Sequence, residues 1–90
     1  MEPIALPGEE LVVTGLRDLA RAAVSAEALL VSLAAPRLTA LGVHVPNPLP
    51  NAELRLYGLL ARRYGDAAHA RYNGLVRRMV SYQRAVACAR

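Results

Sequence analysis

The chain has 90 residues, 54% hydrophobic and 20% charged, which is enough for one domain and too few for two. Its formal charge of +4 rests on eleven basic residues, all Arg, and its single cysteine, Cys88, excludes an internal disulfide. A domain this small buries only about 60–65% of the surface its unfolded chain exposes, so apolar area is left for a second copy or another partner to cover. Ala and Leu dominate, Phe and Trp are absent, and Val forms no long alternating run, a composition that favours helix over sheet. The expectation is a single all-α domain over 1–90: a compact bundle of four main helices, with a short fifth helical turn and a Pro-rich connector at 43–50.

Residues 1–8 contain Pro3, Pro7 and Gly8 and read as an irregular lead-in. The first helix is expected over 9–22, with Glu9 and Glu10 in its first turn, where negative charge complements the helix dipole. Val12, Leu16, Leu19 and Ala23 form its apolar stripe, with Arg17 and Asp18 off it. Gly15 interrupts this helix at a cost of about 1 kcal/mol relative to Ala, and either a close helix contact or composition alone would account for it.

Ser25 is a good N-cap for the second helix, whose apolar face is Leu29, Leu30 and Leu33. Pro36 ends or kinks that helix near Ala35 and can open a short third helix over 36–41, stopped by Gly42. Pro46, Pro48 and Pro50 make 43–50 a stiff extended strap across one end of the bundle. Asn51 is the expected cap of the next helix, which carries Leu56, Leu60 and Tyr64 on one side and closes at Gly65. Asp66 is the expected cap of the last helix.

In that last helix Ala68, Tyr72, Leu75, Met79, Tyr82, Val86 and Ala89 step by four and three alternately, an a/d seam of about three heptads. Val76 and Val80 widen the apolar surface beyond a narrow seam. This helix is the expected spine of the bundle. Tyr72, Leu75, Met79, Tyr82 and Val86 are the candidate partner-binding residues, with a homodimer favoured and another protein as the alternative partner.

The basic character belongs to the second half: residues 1–50 balance to −2 and residues 51–90 to +6. Arg62, Arg63, Arg71, Arg77, Arg78 and Arg84 are therefore the candidates for tracking a phosphate backbone, with a tyrosine ring for stacking. This nucleic-acid reading is the runner-up, because an Arg-only, Ala-rich chain also follows from GC-rich codons. A Gly65-Asp66 corner before a basic helix suggests a helix–turn–helix, but Ala67, Ala68, His69 and Ala70 offer little to base edges.

Catalytic and metal chemistry lack their residues. Asp66 and His69 stand three apart without the third and fourth ligands zinc wants, and no Gly-x-Ser-x-Gly elbow or glycine-rich phosphate loop occurs. Cys88 lies two residues from the end, where fraying spoils a precise site. No enzyme activity, metal or cofactor is expected. The longest uncharged run, 38–52, contains three prolines and falls short of the ~20 apolar residues of a spanning helix. Met1-Glu2-Pro3 lacks a basic leader, so the cytoplasm is the expected compartment and no membrane partner is expected.

Overall fold

Helix boundaries follow local chemistry closely. The computed structural model describes residues 6–89. Its elements are α1 (Glu9–Ala20), α2 (Ala26–Leu33), α3 (Ala35–Ala40), α4 (Ala52–Tyr64), a 3₁₀ turn (Gly65–Ala67) and α5 (Ala68–Ala89). No strand occurs among the described residues, and the architecture is the expected all-α bundle of four main helices with a short additional one. Most of the lead-in over 1–8 lies outside those residues. Within them, Gly8 heads α1 in the left-handed region (φ +73), and a Cβ there would stand 2.6 Å from the Arg78 carbonyl oxygen. The missing side chain lets the start of α1 lie directly on α5.

α1 stops two residues earlier than expected. Ala22 takes a left-handed φ of +57, the Ala23 N–H donates to the Asp18 carbonyl at 2.7 Å, and the Ala22 N–H donates to that of Leu19. This is a Schellman termination with Ala where Gly is usual. Asp18, placed off the apolar stripe by the sequence, is buried in the corner that follows. Its carboxylate accepts from the Ser25 hydroxyl at 2.6 Å and from Arg21 at 2.8 Å. Ser25 Oγ in turn accepts the Ala28 N–H at 3.0 Å, the expected N-cap of α2. One hydroxyl thus joins the end of α1 to the start of α2. The Ser25 hydrogen bond first, and then the Arg21 guanidinium, hold the Asp18 carboxyl below the usual carboxylate range.

α2 is the hub. Ala28, Leu29, Leu30, Val31 and Ser32 are buried in succession, so this short helix is covered all round, and α1 and α4 both pack chiefly on it. The expected spine is α5, on the strength of its broad apolar face, but α5 meets the others along only part of its surface. Gly15 explains the tight α1–α2 crossing: a Cβ there would fall 2.4 Å from Val31 Cγ2 and 2.5 Å from the Glu27 carbonyl oxygen. The strap over 43–50 is non-helical as expected and is tied to both neighbours. Asn47 Nδ2 donates to the Leu19 carbonyl at 3.2 Å, the Leu49 N–H donates to Ser32 Oγ at 2.9 Å, and Val45 is buried.

Two expected caps differ. Asn51 precedes α4 in a left-handed conformation (φ +53) with no side-chain capping bond, a conformation Asn tolerates better than most residues. Asp66 lies inside the 3₁₀ turn, which leads into α5 through the backbone instead of a side-chain cap.

The close crossing predicts opposite signs for one chemical change. Gly15→Ala should lower stability by about 1–3 kcal/mol despite the better helix propensity of Ala, because backbone as well as side chain is in the way. Gly74→Ala, with nothing within 4 Å of its Cβ, should raise stability by up to about 1 kcal/mol. Urea midpoints of the two variants check both signs. Asp18→Asn should lower the melting temperature at neutral pH. Since folding depresses this carboxyl's pKa, its contribution is complete above the unfolded value of 3.8 and is lost as pH falls through the lower folded value. The gap between parent and variant should therefore close in acid; a constant gap would contradict the role given to Asp18.

Candidate functional site on the C-terminal helix

The a/d seam of α5 faces the chain's own core. Ala68, Met79 (2% exposed) and Tyr82 (9%) are buried, while Tyr72, Leu75 and Val86 pack half-buried against the same cluster and Ala89 is exposed. Met79 and Tyr82 therefore present little to a partner. Burial pushes the Tyr82 hydroxyl up, helped by the negative charge of Glu9. Tyr72 is raised first by burial and then by the negative charge of Glu53. Tyr72 also meets the ring of Tyr57 at 5.6 Å between centroids, and Tyr57 in turn meets His69 at 6.3 Å.

The six candidate arginines do not form one stripe. Arg63, Arg71 and Arg78 line a cleft of about 340 Å³ between α4 and α5, together with Tyr64 and Glu27. Two of the three are engaged there: Arg71 lies 4.4 Å over the Tyr64 ring, and Arg78 pairs with Glu10 of α1. Arg62 belongs to a separate hollow beside Val24, Leu54 and Gly58. Arg84 lies on a third surface facing α3, and Arg77 is exposed on α5. Adjacent positions on a helix point about 100° apart, which is why a basic run in sequence becomes several small patches in space.

The third surface was not singled out from sequence. Two adjoining hollows of about 410 and 390 Å³ share Arg37, Val80 and Gln83 and make a groove between α3 and the second half of α5. Leu33, Pro36 and Val76 wall one part, and Leu41, Arg84 and Ala87 the other, with Met79 and Leu30 in the floor. No carboxylate lines it. The extra width that Val76 and Val80 give the apolar face was the signal for this groove; the contribution of Arg37 from α3 depends on tertiary placement.

Among the described residues, no group of three His, Cys, Asp or Glu comes together, and no helix is long and apolar enough to cross a membrane. Cys88 is exposed in the last turns of α5. Comparison with family models, with curated proteins and with solved structures finds no match for this chain.

The division between seam and groove is testable by truncation. Met79→Ala should cost about 2–5 kcal/mol of unfolding free energy, because it opens a cavity inside the chain's own core. Val80→Ala, half-buried at the groove wall, should cost about 1 kcal/mol or less. Equal losses in chemical denaturation would mean that the two side chains share one environment.

Proposed function

We propose that this chain is a non-catalytic helical interaction module that works in the cytoplasm and meets protein through apolar surface along the second half of α5. The observation that carries the reading is the open α3–α5 groove, where Val76 and Val80 stay half-exposed while the seam beside them is covered. Uncovered apolar area of this kind is stabilised by association. The polar groups best suited to chemistry already have structural partners. Ser25 caps α2 and joins it to Asp18, and Ser32 links the strap to α2. A lone exposed thiol suits a reducing compartment.

A second copy is the simplest protein to offer this surface. Two grooves brought together would also bring together the exposed Arg37 and Arg84 of each, so charge opposes what apolar contact favours. Salt screens the first and strengthens the second. Molar mass measured by light scattering should therefore begin near 9.7 kDa at low salt and rise with salt and protein concentration. Val80→Glu should hold the chain at the monomer mass throughout. A chain that stays monomeric but binds an oligonucleotide, with affinity falling steeply in salt and lost in the Arg62, Arg63, Arg71, Arg77 and Arg84→Gln variant, would overturn this reading in favour of nucleic-acid binding.

A further inference from the structure

The interaction-module reading leaves the occupant of the groove open, and charge narrows it. We propose that the α3–α5 groove receives an amphipathic helix of a different protein, one whose apolar stripe is flanked by carboxylates. The proposal rests on the reading given above and adds the chemistry of the partner.

No acidic side chain among the described residues lines the groove, and Glu53 alone lines a neighbouring hollow that shares Leu33 and Pro36 with it. Glu10 pairs with Arg78, Asp18 bonds Ser25 and Arg21, and the charge of Glu53 acts on Tyr72. Glu9 acts on Tyr82 from the start of α1, Glu27 lines the α4–α5 cleft, and Asp66 is in the 3₁₀ turn. Arg37 and Arg84, by contrast, have no ion-pair partner among the described residues, and both border the same apolar trough. A strip of Val, Leu and Pro with guanidinium groups along it is complementary to an apolar helix face with Glu or Asp at its margins.

The dimensions suit a helix. Between Val76 and Ala87, α5 rises about 16 Å, three turns along which a ligand helix would place side chains at i, i+3 or i+4, and i+7. Buried Gln83 lies midway and offers both a donor and an acceptor to a polar side chain between the apolar anchors. A second copy of the chain is the poorer occupant, because its matching face carries the same positive charges.

The test uses the full chain and two synthetic helical peptides of about 18 residues with one Leu stripe, flanked by Glu in one peptide and by Lys in the other. Affinity is read by fluorescence anisotropy at low salt, and the contact surface by amide shifts in the labelled protein. The Glu-flanked peptide should bind at least about tenfold more tightly than the Lys-flanked one, with shifts centred on Val76, Val80 and Gln83. In the Arg37→Glu, Arg84→Glu double variant, whose changes are both at exposed positions and leave the helical circular-dichroism signal in place, the preference should reverse. Reversal is a readout that mere loss of folding cannot give. Equal affinities, no binding of the Glu-flanked peptide, or shifts centred on the Arg63–Arg71 cleft would overturn the proposal. If salt-promoted self-association sensitive to Val80→Glu were still observed, the interaction-module reading would stand while this partner assignment fell.

Discussion

The arrangement of this domain depends on how closely α1 and α2 cross. Without a side chain at Gly15, the α1 backbone reaches the Glu27 carbonyl and Val31, and α2 can be enclosed on all sides by a chain of only 90 residues. A helix buried all round needs partners on every face. α1 supplies one, α4 another, and the strap closes the end through Leu49 and Ser32. The Asp18–Ser25–Ala28 relay sets the angle of the corner that makes this crossing reachable after only five connecting residues. Packing and polar bonding act together here, which is the condition under which a buried carboxylate stabilises a joint instead of weakening it.

A short helix at the centre has a consequence for the long one at the edge. With 22 residues, α5 is longer than the core it packs against. It is held near its first turns by α4 and midway by the start of α1, where Gly8 lies on the Arg78 carbonyl and Glu10 reaches the Arg78 side chain. Beyond that point the seam side and Gln83 are covered, while Val80, Arg84 and Ala87 stay partly or fully open. The flank facing α3 stays apart from it, because α3 ends at Ala40 and the chain then turns away into the strap. The groove is thus a product of mismatched helix lengths around a small core.

Much of the fold was legible in the sequence because its punctuation is local. Ser25, Pro36, Gly42 and the three strap prolines set boundaries by their own backbone chemistry, and the a/d spacing of α5 identified Met79 and Tyr82 as seam residues. Which surface buried that seam was not legible, since a heptad pattern is the same whether its partner is the same chain or a second one. The central position of α2 was hidden for a related reason: six apolar residues among its eight, in a helix buried on every side at its middle, leave no clear periodicity to read. Asp18 was missed because a carboxylate off the apolar stripe ordinarily faces water, and only the turn at Ala22 brings Ser25 over it. Arg37 and Arg84 lie 47 positions apart, so their shared groove exists only in three dimensions.

Charge placement links these observations to function. In a chain whose basic residues are all Arg, composition alone accounts for a positive surface, and the number of guanidinium groups says little about recognition. Their engagement says more. Arg21, Arg71 and Arg78 each have a partner within the fold, and those contacts hold a helix corner, a helix hairpin and the docking of α1. Arg37 and Arg84 have none among the described residues and stand beside the half-covered Leu33, Leu41, Val76 and Val80. A small domain of modest stability gains from any ligand that binds only its folded form. A helix that covers Val76 and Val80 while supplying carboxylates to Arg37 and Arg84 would complete both the core and the charge balance that the chain leaves unfinished.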